Sequence, residues 1–396
     1  MKTETKAVHA GDRKRNPDTP GAFVPSSTPI YTATTYLYEE TAKLDRVLGR
    51  EEPGFCYGRY DNPTRAGLEE LLTELESGAS AQVLSSGMIA LHLALLAALT
   101  DRRKSVLGSN ALYGTTTTLL TQVLEPLGVT VDFVDTCDLA AVERKIAESK
   151  PGCIVVETIS NPLLRVADLD LLAELAAEAG AALLVDNTFA SPLLVRPIEH
   201  GANLVVESLT KFLSGHGDVL GGVVVTDEAH SDIVRTLSRT LGPVLGPFDS
   251  YLTMRGIKTF ALRVERQCAN ACRIATWLQS HPRIARVHYL ADPNHPDAAV
   301  IRRLLPEGLH GALVPFEIKD ATKEDVFRFM DKLKLVVRGT SLGDVHSLLL
   351  YPAIASHREI APKQRQRMGI SDGLVRFCAG IEAVDDIIAD LDQALS

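Results

Sequence analysis

Two stretches decide the fold: Ala181-Ala182-Leu183-Leu184-Val185-Asp186-Asn187-Thr188, and, after a loop and a helix's length of chain, Asn203-Leu204-Val205-Val206-Glu207-Ser208-Leu209-Thr210-Lys211. Each opens with a short apolar, β-branched run and ends in polar residues. Working outward, Ala81–Leu84, Val106–Gly108, Thr130–Val134, Cys153–Glu157 and Gly221–Thr226 read as further strands. Helical patterns separate several of them: Arg65–Glu76 (apolar at Leu68, Leu71, Leu72 and Leu75), Gly87–Leu99, Ala140–Ala147 and Leu169–Gly180. Strands alternating with helices predict an α/β fold with a mostly parallel sheet covered on both faces. Ligands of such sheets collect at the carboxyl ends of the strands, where Asp186 and Lys211 fall.

The rest of the chain divides around this core. Residues 1–61 read as an irregular arm, punctuated by Pro17, Pro20, Pro25, Pro29 and Pro53, with no long helical period. Such an arm buries little apolar surface alone, so it lies on the body of its own subunit or on a partner. Residues 62–256 form the large domain. One long helical stretch, Leu252–Ser280, leads into a smaller C-terminal α/β domain, 257–396. Strands are expected there at Ala312–Ile318, Leu335–Val337 and Leu374–Cys378, and helices at Lys323–Leu333 and Val384–Leu395.

Composition narrows the function classes. The 396 residues are 45% hydrophobic and 23% charged, ordinary for a soluble enzyme. A net charge of −9 argues against nucleic acid or an anionic membrane as partner. The N-terminus lacks the apolar core of a signal peptide, and the longest apolar stretch, near Ala90–Leu99, contains His92 and is too short to span a bilayer. Six scattered cysteines without a C-x-x-C pair read as reduced thiols of a cytoplasmic protein. Cys268 and Cys272, four apart, read as a helix face, and no metal site is expected.

A lysine and an aspartate at neighbouring strand ends are what pyridoxal 5′-phosphate needs. The lysine amine forms a Schiff base, and the aspartate keeps the pyridine nitrogen protonated so that the ring withdraws electrons. Ser85-Ser86-Gly87-Met88 opens a helix, where free backbone N–H groups and the helix dipole favour an anion. Taken alone it is an N-cap; beside a Schiff-base lysine it is a phosphate cradle, to which Ser208 and Thr210 add hydroxyls. Tyr113, at a loop start, can stack on the ring and carry a proton. Arg59, in Tyr57-Gly58-Arg59-Tyr60, suits a phosphate or carboxylate. Arg376 lies inside the apolar run Leu374–Cys378 and needs an anion, either a structural carboxylate or the α-carboxylate of a substrate.

These motifs, with Asn62-Pro63-Thr64, Glu157 and Asn161-Pro162, Ser214-Gly215-His216, Arg255-Gly256-Ile257-Lys258-Thr259 and Ser341-Leu342-Gly343, occur together and in order. In this the chain resembles the Cys/Met-metabolism (trans-sulfuration) family of fold-type I, aspartate aminotransferase-like, pyridoxal-phosphate enzymes. The resemblance implies Lys211 as the Schiff-base lysine, Asp186 (with Thr188 in its motif) at the pyridine nitrogen, and Tyr113 on the ring. Ser86, Gly87, Met88, Ser208 and Thr210 would hold the phosphate, and Asn161 would sit by the ring hydroxyl. Ser341 and Arg376 would bind the substrate carboxylate. It further implies that Tyr57 and Arg59 reach the cofactor of a neighbouring subunit, in a homotetramer of two catalytic dimers. The implied reaction is at the γ-carbon of cystathionine or an O-acyl-homoserine, with methionine γ-lyase or cystathionine/cysteine β-lyase as alternatives. A catalytically silent scaffold is the reading from another class; intact Lys211, Asp186, Tyr113 and Arg376 weigh against it. The chain departs from its relatives at Cys56, where synthases and γ-lyases of cystathionine often carry an acid, at Thr115, where methionine γ-lyases carry a cysteine, and at His346, where a glutamate is common.

Overall fold

The computed structural model describes residues 1–12, 24–355, 358, 365 and 369–396. Seven strands, β1 (Ser80–Leu84), β2 (Ser105–Ser109), β3 (Thr130–Val134), β4 (Cys153–Glu157), β5 (Ala182–Asp186), β6 (Leu204–Ser208) and β7 (Gly222–Thr226), form one sheet in the order β1-β7-β6-β5-β4-β2-β3. All neighbours run parallel except those of β7, which is antiparallel to both β1 and β6. β2, β4 and β7 are buried at every residue, the burial expected of a sheet covered on both faces.

The covering helices are α1 (Thr3–His9), α2 (Thr41–Leu48), α3 (Pro63–Glu76), α4 (Gly87–Leu99), α5 (Gly114–Thr118), α6 (Leu139–Ser149), α7 (Leu169–Ala179), α8 (Ser191–Leu194), α9 (Glu228–Leu241), α10 (Pro247–Ile257) and α11 (Phe260–Ser280). α4 lies across β5, β6 and β7 and is apolar almost all round. The second sheet, in the order β10-β11-β12-β9-β8, comprises β8 (Ile284–Val287), β9 (Leu313–Ile318), β10 (Val337–Arg338), β11 (Leu348–Leu350) and β12 (Leu374–Cys378). It packs with α11, α13 (Lys323–Lys332) and α14 (Val384–Leu395), while α12 (Ala298–Leu304) places Ile301 and Leu304 in the cluster of the first sheet. The two sheets share apolar contacts, since Leu313, Leu348 and Cys378 belong to the cluster that holds Val156, Val185 and Val205.

Three expectations change. The stretch Leu252–Ser280 is two helices, α10 and α11, broken at Lys258-Thr259. The Gly256 carbonyl accepts from the Thr259 hydroxyl and from the buried Arg263 guanidinium, which diverts it from the helical ladder. The arm is not wholly irregular, because it holds α1 and α2. α1 packs on α3 and α11 of its own chain, where Ala7 is buried and Lys6 donates to the Glu74 carbonyl. The strand expected at Leu335–Val337 is the two-residue β10, Val337–Arg338. Among the described residues, six helices (α1, α2, α5, α8, α9, α12) and two strands (β8, β11) were not legible in the pattern.

Helix α3 is tied to the sheet by buried acids. Asn62 caps it, its side-chain oxygen accepting from Thr64 and Arg65 N–H. Glu76 at its end faces Glu207 of β6, and both are fully enclosed. Asn187 donates to Glu76 at 2.9 Å and accepts from the Thr158 hydroxyl at 2.8 Å. Burial raises both carboxyl pKa values, and the Glu76 charge adds to the rise at Glu207, which is pushed well above its ordinary value. The folded state therefore holds a proton that the unfolded chain releases near pH 4–5, and stability falls as pH rises from there toward the folded pKa. Glu207→Gln keeps a donor for Glu76 and removes the second acid. Denaturant unfolding over a pH series is expected to show a flatter alkaline decline, with a gain on the order of 1–3 kcal/mol at about pH 8.

Candidate active site

The site forms where the carboxyl ends of β4, β5 and β6 meet the second sheet. Asp186 is the last residue of β5. Its carboxylate accepts the Thr188 N–H at 3.0 Å, and the Thr188 hydroxyl in turn accepts the Ser208 N–H at 3.0 Å. Asp186 has no cationic partner among the described residues, and burial raises its pKa. It lacks one strong donor, which a protonated pyridine nitrogen would supply.

Lys211 lies three residues beyond β6. Its Nζ donates to Ser341 Oγ at 2.9 Å, across from the loop that precedes β11. No carboxylate pairs with it among the described residues. Burial, and then the Arg376 charge, lower its pKa, so the neutral nucleophilic amine is reached at lower pH than for a free lysine.

Arg376, central in β12, is buried, yet no carboxylate meets it. Its Nη1 donates to Asn161 Oδ1 at 3.2 Å and its Nη2 to the Ser341 carbonyl at 3.1 Å. Its guanidinium faces the Phe189 ring at 5.8 Å. Nε has no hydrogen-bond partner, and burial lowers the pKa to about 10. A buried cation served only by neutral acceptors, with a donor to spare, is suited in charge and geometry to an incoming anion.

The helix-end side of the site is built by α4. Ser86 caps it, Oγ accepting the Ile89 N–H at 3.2 Å, and Gly87 begins it. A Cβ on Gly87 would stand 3.1 Å from Ser208 Cβ, so glycine lets the helix end close on the β6 hydroxyl. Thr210 Oγ1 accepts the Gly221 N–H at 3.1 Å, which braces the loop carrying Lys211. Met88 is the second residue of α4. Tyr113 precedes α5, its ring partly exposed and its N–H held by Glu157. These groups fit pyridoxal 5′-phosphate in kind. Helix-end and hydroxyl donors suit its phosphate, Asp186 its ring nitrogen, Tyr113 its face and Lys211 its aldehyde.

The structure thus brings together Ser86, Gly87, Ser208 and Thr210 on one side, and Lys211, Ser341, Asn161 and Arg376 on the other, with Asp186 and Thr188 linked to Ser208. It does not bring Tyr57 and Arg59 to Lys211. Arg59 donates to the Arg239 carbonyl at the end of α9 and lies over the rings of Tyr57 and Tyr60. Asn161, expected beside a ring hydroxyl, gives its side-chain oxygen to Arg376. Sequence reasoning gave no role to Glu157 or Phe189. A lone acid ending the fully buried run Cys153–Glu157 was the available signal for Glu157.

The strand-end lysine and aspartate, the anion cradle and the two-sheet architecture define a pyridoxal-phosphate enzyme of fold-type I. Residues 4–396 match the family model for Cys/Met metabolism PLP-dependent enzymes, and the chain belongs to that family. It is 37% identical over 394 residues to an L-methionine gamma-lyase of Fusobacterium nucleatum subsp. polymorphum, covering 99% of this chain and 97% of the relative. It is 38% identical over 400 residues to the cystathionine gamma-lyase of Bacillus subtilis, covering 100% and 99%. Among solved structures, cystathionine gamma-lyase from Lactobacillus plantarum complexed with L-serine superposes with a TM-score of 0.90 at 35% identity, covering 100% of this chain and 98% of that one.

Removing the guanidinium tests its role. Arg376→Ala is expected to keep the visible absorption of the bound cofactor and to weaken amino-acid binding by about 2–4 kcal/mol, read as a raised KM. An unchanged KM and kcat would make Arg376 structural.

Proposed function

We propose that the protein transforms amino acids at the γ-carbon, acting on cystathionine or an O-acyl-homoserine. The observation that carries this reading is the buried Arg376, lacking an anion and sharing Ser341 with Lys211. A carboxylate bound there presents the α-carbon of an amino acid to the lysine amine. The names borne by relatives, which include cystathionine gamma-lyase and O-succinylhomoserine sulfhydrylase, support the γ-position.

When bound, pyridoxal 5′-phosphate supplies an electron sink for charge developing at the substrate α-carbon. The chain's own residues do the rest. Arg376 and Ser341 bind and orient the carboxylate. Lys211, with its lowered pKa, accepts the α-proton at Nζ and returns it during turnover. Asp186, kept in place by Thr188, would hold the pyridine nitrogen and favour its protonated form. Tyr113 would cover the ring and offer its hydroxyl for proton transfer at the departing substituent.

Cys56 favours a second reading. With no acid at that position to meet a distal ammonium, methionine or an O-acyl-homoserine fits better than cystathionine. Parallel assay of 2-oxo acid and thiol products from cystathionine, methionine, cysteine and O-acyl-homoserines separates these readings. Lys211→Ala is expected to abolish turnover of every substrate while cofactor still binds through its phosphate; full activity in that variant would overturn the assignment.

We assign residues 1–61, 62–256 and 257–396 as arm, cofactor domain and C-terminal domain, in a cytoplasmic homotetramer of two catalytic dimers. The exposure of Leu37 (92%), Leu220 (66%) and Phe248 (60%) supports contact with further copies. In such a dimer Tyr57 and Arg59 serve the neighbour's phosphate. Mixing inactive Arg59→Ala and Lys211→Ala proteins under subunit exchange is then expected to restore partial activity. Hybrids shown by mass spectrometry but without recovery would place Arg59 in its own subunit's site.

A further inference from the structure

The reaction outlined above leaves one buried acid at the site without a role. Glu157 ends β4 and is 8% exposed. No cation pairs with it among the described residues. Its two carboxylate oxygens are taken by two backbone donors, the Tyr113 N–H on Oε1 and the Asn161 N–H on Oε2, the latter at 3.1 Å. In the parallel register of β4 and β5 it stands opposite Asp186, so both acids project from the same face of the sheet. Burial, and then the Asp186 charge, push its pKa well above the ordinary carboxylate range. A group this costly to bury is a poor choice for mere packing.

What distinguishes Glu157 is which two donors it holds. Tyr113 is the residue from which α5 starts, and its backbone position sets where the ring lies. Asn161 is the residue whose side-chain oxygen receives Arg376 Nη1. One carboxylate therefore fastens both the aromatic cover of the site and the group that orients its carboxylate receptor. A fork with two acceptor oxygens suits two N–H donors; an amide has only one acceptor and would turn its NH2 against the other donor.

We propose that Glu157 is a positioning residue that sets the Tyr113 ring and the Asn161–Arg376 pair together, so that cofactor cover and substrate-carboxylate binding depend on a single side chain. This rests on the pyridoxal-phosphate reading of the site. A protonated pyridine nitrogen at Asp186 brings a positive charge next to Glu157 and reduces the cost of keeping it ionised.

The test compares wild type, Glu157→Gln and Val155→Ala, the last a buried apolar truncation on the same strand. Three quantities are measured: visible-region circular dichroism of the bound cofactor, KM and kcat separately, and the thermal midpoint. Glu157→Gln is expected to keep the visible absorption band, since Lys211 and the phosphate cradle are untouched. It should lose most of the visible circular dichroism and raise KM by roughly 10-fold or more, the size of one charged hydrogen bond. Val155→Ala should lower the midpoint and leave both signals in place. Wild-type dichroism and KM in Glu157→Gln would overturn the role, as would Val155→Ala reproducing both changes at equal loss of stability. If Glu157→Gln does not fold, Glu157→Asp carries the same readouts, because its shorter arm cannot reach both donors; unmoved signals there overturn the role too. A wild-type protein that gains no visible band with pyridoxal phosphate would instead remove the cofactor reading, and the positioning role with it.

Discussion

Arg376 carries a full charge into the seam between two sheets and meets no carboxylate there. Taking a guanidinium out of water is expensive, and the structure returns only two neutral acceptors, Asn161 Oδ1 and the Ser341 carbonyl. Much of the local architecture follows from that constraint. Asn161 must be placed by its backbone, which Glu157 does. Ser341 must lie where its carbonyl serves the arginine and its hydroxyl serves Lys211. Cys378, two residues on along the same face of β12, accepts the Gly343 N–H and steadies the loop that carries Ser341. The Lys211 amine, kept next to an unneutralised cation, is biased toward its neutral form.

Charge in the site is segregated rather than paired. Asp186 and Glu157 sit at the ends of β5 and β4, while Arg376 belongs to β12 of the second sheet and Lys211 reaches Ser341 beside it, and no salt bridge joins the two groups among the described residues. Each side lacks its counter-charge. A ligand with a phosphate, a protonatable ring nitrogen and an amino-acid carboxylate completes these groups without displacing an existing ion pair. That accounts for a polar site tolerating so much burial. The desolvation cost is borne by the fold in advance, and binding returns the missing electrostatic partners.

Legibility in the sequence followed burial. Strands enclosed on both faces, such as Ala182–Asp186 and Leu204–Ser208, read as unbroken apolar runs, and their polar endings exposed Asp186 and the way to Lys211. β8, Ile-Ala-Arg-Val, is an edge strand with only Val287 buried, and β11 is three leucines long, too short to tell from a helical turn. α9 was missed although Ile233, Val234 and Leu237 give it an apolar stripe against the core, because the polar His230 and Ser238 share its buried face. Its Asp227 cap and the left-handed Gly242 at its end were the stronger signals. Glu157 was visible as a residue but not as a hub, because backbone N–H groups that converge from distant segments leave no trace in spacing.

The two halves of the site are constrained to different degrees. Cofactor-facing groups sit on or directly beyond strands of the large sheet and are enclosed by it. A Cβ on Gly222, for example, would stand 2.4 Å from the Ser86 carbonyl, so β7 can pass the start of α4 only as glycine. Groups that depart from the family pattern lie elsewhere. Cys56 is in the arm, Thr115 is in the short α5, and His346 is an exposed side chain beside Asp344. A substitution at any of these three leaves the strand-borne groups where they are. Positions of this kind can change while the strand-borne groups stay fixed. The physical reason is packing: a sheet buried on both faces resists change at every residue, and a loop or arm does not.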